Sequence, residues 1–485
     1  MEHLPTDLQN VFQSAGDALG LNPSFAAFVI LQLLNIVIAL LFRRIHSGPS
    51  RKIISLVVGL TWSYILYNAW NTVALVILSG MFYLLPVYNV TSPATVTMLA
   101  VAILSYFHIH RMVVDYMGWS LDVSGALMLF TAKFSMFAFD MADGRQMKEG
   151  KPLSAEPHIA DSRKTTCMSS TPSMLEYYTY IFDFLGFIAG PVFHIREYLD
   201  FIYLRGDFDH LGKVLFARVV LERFFYALLI GGCFSVAGTI PMLSFDYVNT
   251  ADYANMNLLF RLFNIHFLTA ANRLKYYFAW YMSDVACLVS GIGYSPNMRE
   301  KYSRGQNAIL TKVEMANSQS ECMAHWNISI SRWLRNCIYL RANEAALPGF
   351  LKGKIGHRQY ATILTRFTSA FWHGFYPGYY LAFFSTVLQF EADSISRKYI
   401  KPYFMRDGDT KPHWFYTLCG KIHSGLCVNY YGAAFMVLSA EAGMQVWKSV
   451  YYIVHIFNVA TIVLVPILFK HRKIATAVAD ERKKK

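Results

Sequence analysis

Apolar runs of membrane-crossing length recur along this chain, and they limit its fold before any motif is read. They lie near residues 25–42, 53–70, 73–88, 94–110, 123–139, 178–193, 214–238, 254–270, 276–293, 361–390, 423–440 and 447–469. A helix of roughly 20 apolar residues crosses the hydrocarbon core of a bilayer. Composition agrees with that reading. Of 485 residues, 55% are hydrophobic and only 15% charged, with a mean hydropathy of +0.31, against about 25% charged in soluble domains. The expected fold class is an all-α polytopic membrane protein.

The formal charge of +13 would suggest nucleic acid if it covered a soluble face. It gathers instead in loops between apolar runs (Arg43, Arg44, Arg51, Lys52; Arg145–Lys164) and in the tail Lys470–Lys485. That is the positive-inside pattern of a membrane protein, and no nucleic-acid partner is expected. Seven cysteines are scattered without paired spacing, so neither a disulfide framework nor a metal site is indicated. Met1–Gly20 is polar and mildly acidic rather than a secretory signal. The run Phe25–Phe42 would itself direct insertion.

The first five runs give a consistent topology, with an N-terminal tail 1–24 and cytosolic segments at 43–52 and 140–176. The basic tail 471–485 also reads as cytosolic. Run 178–193 carries Asp183 and is broken at Gly190-Pro191, which suits a re-entrant element buried in protein. Runs 254–270 and 276–293 are separated by Asn272-Arg273-Leu274-Lys275, which obscures how many times this part crosses. About eleven spans are expected. No internal repeat is evident, which argues against a secondary transporter.

Within run 361–390 the string T-S-A-F-W-H-G-F-Y-P-G-Y-Y places His373 at membrane depth. An ionisable group there is costly and marks a functional site. Pro377 lacks the N–H that would bond the carbonyl of residue 373. The histidine is therefore expected at a kink, with Gly374 and Gly378 giving room for a ligand. Upstream, the polar stretch 296–358 contains H-W-N-I-S-I-S-R-W-L-R-N at residues 325–336. As one helix it would put Trp326 and Trp333 on one face and Arg332 with Arg335 on another, lying at a membrane interface. Asn327 would project from its start. Lys352, Lys354, His357 and Arg358 follow as a basic cluster.

These strings are similar to the paired signatures of the membrane-bound O-acyltransferases, in particular the lysophospholipid acyltransferase branch. V-D-Y-M-G-W-S-L-D-V-S-G-A-L-M (114–128), F-A-F-D-M-A-D-G (137–144) and G-P-V-F-H-I-R-E-Y-L-D-F (190–201) resemble further blocks of that branch, in the same order. The F-Y-x-D-W-W-N string of the sterol and diacylglycerol branches is absent. The resemblance implies a single domain over 1–485 with about eleven transmembrane helices around a buried chamber. It implies acyl-CoA entering from the cytosol and a lysophospholipid (choline, ethanolamine or serine type) from the membrane. His373 and Asn327 would be the catalytic pair, in the endoplasmic-reticulum membrane, with no cofactor beyond the acyl-CoA co-substrate.

A thioester is already activated, so a lipid hydroxyl needs deprotonation and stabilisation of the developing oxyanion. A neutral histidine suits the first role. Asn327 would donate to the oxyanion or orient the histidine. No cysteine or serine is tied to His373 by a nucleophile motif, so direct transfer without an acyl-enzyme is expected. Candidate substrate contacts are Trp326, Arg332, Trp333, Trp372, Gly374, Tyr376, Pro377, Gly378, Tyr379 and His194; Tyr380 is a further hydroxyl near the break. Candidates for the CoA phosphates are Arg335, Lys352, Lys354 and Arg358. Each has a plainer reading. The tryptophans serve equally as packing anchors, the basic residues as a positive-inside loop, and Asn327 as a helix N-cap or glycosylation sequon. His108, His110 and His266 read as packing or interface residues. Two other functions remain open: an acyltransferase acting on a sterol, diacylglycerol or protein, and a proton-coupled transporter using His373 with Asp183 and Asp284.

Overall fold

The computed structural model describes residues 3–118, 121–209, 211, 217–296, 300–406 and 411–469. The basic tail 471–485 lies outside them. Every regular element among the described residues is helical. Five helices are long and apolar enough to cross a membrane: Pro23–Phe42, Gly48–Val87, Pro93–Val114, Val123–Lys148 and Ala217–Gly238. A bent pair, Ala440–Ser449 with Ile453–Leu468, makes a sixth if counted as one span.

Several runs fold differently from their sequence pattern. The Gly48–Val87 helix breaks at Asn68, whose φ is 74° and ψ 172°. The hydroxyls of Ser63 and Thr72 lie 2.9 Å apart across that break, whereas nine residues of straight helix would separate them by about 13 Å. The chain therefore turns back there, and runs 53–70 and 73–88 become separate arms. Conversely, Asn272–Lys275 interrupts nothing, because Leu258–Ser290 is one helix of 33 residues. The polar side chains in its middle are satisfied laterally: Asn272 donates to the Leu243 carbonyl, and Arg273 bonds Asn429 and Glu314.

Run 361–390 is also not one kinked helix. His357–His373 ends at the histidine, and Pro377–Ile395 starts afresh with Pro377 in its first turn, where a missing N–H costs nothing. Gly374 closes the first helix with φ 112°, a conformation that a side chain would strain.

The chain divides into two compact units. The first comprises Met1–Leu229, Tyr276–Asn307 and Asn327–Phe375. Its centre is the Val123–Lys148 helix, buried along most of its length, with Phe134 stacked on Phe82 at 4.2 Å. Beside it run the short helices Met174–Ile181, Phe184–Phe187 and Ile195–Ile202. The buried, broken character expected of 178–193 is observed, and its loose backbone groups are all the more costly for being buried. Side chains satisfy several of them. Lys133 donates to the carbonyls of Tyr180 (2.8 Å) and Ile181 (3.1 Å), at a helix C-terminus where a cation is favoured. Asp183 accepts from the N–H groups of Leu185 and Gly186, both at 3.2 Å. Asn35 donates to the Phe184 carbonyl, and Tyr180 to that of Phe193.

The second unit comprises Ile230–Lys275, Ala308–Trp326 and Tyr376–Lys485. Its core gathers Tyr430, Tyr431, Trp447 and His455, with the His455 ring 4.7 Å from that of Trp447. His266 meets the side chain of Asn429 at 3.1 Å, the satisfied packing role expected of it.

Candidate active site

In the first unit, Trp333 and Trp372 bring the two signature strings together. Their ring centroids are 6.2 Å apart, and the Trp372 indole donates to the Met128 carbonyl at 2.7 Å. Trp333 is only 1% exposed, so it is a buried packing residue rather than an interface anchor. The His373 ring lies 4.7 Å from Trp372, edge-on at 79°, and is half-buried. Thus the aromatic pair fixes the helix end that carries the histidine.

His108 supports the same end from the Pro93–Val114 helix. Its Nε2 lies 3.1 Å from the Trp372 carbonyl, the peptide group immediately before His373. A carbonyl only accepts, so Nε2 carries the proton and the neutral ring keeps its lone pair on Nδ1. A side chain on Gly374 would meet the His108 ring at 3.2 Å. This glycine thus serves a positive φ and a close imidazole. The packing role expected for His108 is present, but nothing in the spacing of His108 and His373 shows that they are neighbours.

Asn327 stands at the start of a helix, as expected, but the helix is short and begins at Ile328. Trp326 is extended (φ −110°, ψ 126°) and caps the preceding Gln319–His325 helix. Trp326 and Trp333 therefore do not share a helical face. Nor is Asn327 a side-chain N-cap: its backbone is left-handed (φ 46°, ψ 57°) and its side chain makes no cap bond. Its amide oxygen instead accepts from Asn307 Nδ2 at 3.2 Å. Asn307 is 2% exposed and also accepts from the N–H groups of Ile328 (2.8 Å, main chain) and Ser329 (2.9 Å, side chain). Sequence reasoning missed it, because a separation of 20 residues along the chain carries no periodic signal that links the two.

Beyond Trp333 the helix widens into a π-helix, Leu334–Tyr339, a form frequent at functional sites. Arg332 is half-buried and Arg335 exposed on either side of this transition. Lys352, Lys354 and Arg358 are exposed at and before the start of the His357–His373 helix. His194 is buried, with Nδ1 2.9 Å from Asp140.

In the second unit, Tyr376 is buried and its ring lies 6.1 Å from that of Tyr379, which packs on Phe435 at 4.6 Å. Gly378 donates its N–H to the Leu438 carbonyl at 2.7 Å. A β-carbon there would lie 2.2 Å from the Ala434 carbonyl oxygen. Its smallness thus admits backbone. Gly378→Ala is expected to cost about 1–3 kcal/mol by overpacking, read as a lower melting temperature in detergent; an unchanged melting temperature would contradict the close approach.

The profile described as the membrane-bound O-acyltransferase family matches residues 82–433, a span that includes both signature strings. The chain belongs to that family. It is similar to a lysophospholipid acyltransferase of Schizosaccharomyces pombe, 26% identical over 462 residues and covering 92% of this chain and 87% of the relative. Two mouse relatives are the membrane-bound glycerophospholipid O-acyltransferases 2 and 1. They are 26% and 28% identical, over 96% and 93% of this chain and 89% and 91% of their own lengths. This member is thus a multi-pass membrane protein of the O-acyltransferase family, and its shorter sequence blocks have structural reasons. Asp143 of the 137–144 block binds Arg341 through both oxygens. Gly144 leaves space that the Met168 carbonyl oxygen fills, 1.9 Å from where a β-carbon would stand.

Proposed function

We propose that this chain transfers a fatty acyl group from acyl-CoA to the free hydroxyl of a lysophospholipid, as in phospholipid remodelling. The observation that carries the proposal is the meeting of the two signatures through Trp333 and Trp372, in a chain whose relatives bear lysophospholipid and glycerophospholipid acyltransferase names. In this reading His373 takes the proton from the acceptor hydroxyl as its oxygen attacks the thioester carbonyl. Asn327 donates to the oxyanion of the tetrahedral intermediate. The C–S bond then breaks, and the departing CoA sulfur recovers the proton from the imidazolium. The new ester forms directly, with no covalent acyl-enzyme. Arg335, Lys352, Lys354 and Arg358, exposed and cationic, suit the CoA phosphates. About eleven crossing helices around a buried chamber, an endoplasmic-reticulum location and a cytosolic basic tail complete the proposal.

The transporter alternative is weakened by what its acids do. Asp183 caps a short helix, and Asp284 is paired with Arg223, which leaves neither poised for proton relay. The test uses purified protein in detergent, labelled acyl-CoA and a panel of acceptors: lysophospholipids of several head groups, a sterol, diacylglycerol and an acceptor peptide. Label is expected in two-chain phospholipid. Label that accumulates only in sterol ester, triacylglycerol or peptide would overturn the acceptor class, and none in any acceptor would overturn the enzyme reading.

A further inference from the structure

We propose that Asn307 is a positioning residue that fixes which end of the Asn327 amide faces the reaction. The inference rests on the reading that Asn327 works in acyl transfer. It follows from donor and acceptor identity alone. The Ser329 main-chain N–H can only donate, so the Asn307 side-chain atom 2.9 Å from it is the oxygen. The other end of the Asn307 amide, 3.2 Å from Asn327, is therefore the nitrogen. An amide N–H also only donates, so the Asn327 atom it meets is the oxygen. The Asn327 Nδ2, at the other end of that amide, is left with no hydrogen-bond partner among the described residues. That nitrogen end carries two N–H donors and no acceptor.

This settles a choice that the sequence leaves open. A donor aimed at the basic nitrogen of His373 would occupy the lone pair that must take the hydroxyl proton. The role that remains for Nδ2 is at an oxygen that gains negative charge, the thioester carbonyl during attack. The orientation is doubly anchored. The Asn307 carbonyl accepts from Ile328 N–H at 2.8 Å, holding the backbone on both sides of its side chain. Asn327 itself adopts φ 46° and ψ 57°, a left-handed conformation that asparagine tolerates better than most residues. Asn307 is buried and touches the chemistry only through its neighbour.

Asn307→Asp separates this role from a structural one. The carboxylate keeps the acceptor for Ser329 N–H and the shape of the side chain, but has no N–H for Asn327. The Asn327 amide must then turn its nitrogen toward residue 307 and present its oxygen to the substrate. In the full-length protein kcat should fall by roughly 10²–10³-fold, the usual loss for one oxyanion donor, with KM for both substrates within about twofold. A protonated carboxyl can again donate to Asn327, so the wild-type to variant kcat ratio should grow from pH 6 to pH 9. In an Asn327→Ala background the same change should add no further loss. Asn307→Ala, which frees the Asn327 amide to rotate, should lose roughly tenfold in kcat and again nothing in the Asn327→Ala background; it carries the test if the aspartate variant does not fold. A ratio of one at every pH with Asn327→Ala inactive, or an additive loss in the double variant, would overturn the proposal. Full activity of Asn327→Ala would instead overturn the reading on which it rests.

Discussion

His373→Ala is expected to lower kcat for acyl transfer by roughly 10²–10⁴-fold, the usual contribution of a positioned general base, or about 3–5 kcal/mol of transition-state stabilisation. The protein should remain folded. The Trp372 indole keeps its bond to Met128, His108 keeps its bond to the Trp372 carbonyl, and Gly374 still closes the helix. The imidazole is half-buried at the end of a helix, so its removal leaves much of the surrounding packing in place. Gel filtration and melting temperature should therefore match wild type while product formation collapses. Wild-type kcat in the variant would remove His373 from the chemistry, whatever the sequence resemblance.

Asn327→Ala should lower kcat by roughly 10²–10³-fold with little change in KM, because an oxyanion donor acts on the transition state more than on bound substrate. Asn327→Asp should be as poor or worse. Its carboxylate has no donor and would set a negative charge beside the developing oxyanion. Combining Asn327→Ala with His373→Ala should cost much less than the product of the two losses, since groups that act in one step are non-additive. Strict multiplication in the double variant would mean that the two residues serve separate steps. The expected KM pattern also separates Asn327 from the basic cluster. Neutralising Arg335, Lys352, Lys354 and Arg358 together should raise the apparent KM for acyl-CoA and leave the chemical step largely unaltered.

The membrane class and the positions of the five long apolar helices are legible because apolar length is a property of contiguous residues. The break at residues 374–376 was legible only in part. Pro377 announces a disturbed helix, but whether the chain kinks or starts a new helix depends on Gly374, which has a φ of 112° and leaves no room for a side chain beside the His108 ring. The continuity of Leu258–Ser290 was hidden for a similar reason, since Asn272 and Arg273 look like a loop until their lateral partners are known. The seven-residue spacing of Trp326 and Trp333 implied a shared face, and the left-handed turn at Asn327 removes it. His373 and Asn327 stand out as candidates because they sit in distinctive strings. Asn307 meets Asn327 through a contact between distant segments, and no local pattern marks it.

Single-turnover labelling distinguishes direct acyl transfer from passage through an acyl-enzyme. Purified protein is mixed with acyl-CoA labelled in its fatty chain, first alone and then with lysophospholipid, and quenched over time. Direct transfer assisted by His373 predicts no label bound covalently to protein at any time and, once acceptor is present, direct conversion of thioester into two-chain phospholipid by wild type but not by His373→Ala. Label that loads onto the protein before acceptor is added and then passes to the lipid, or equal conversion by the two proteins, would contradict it.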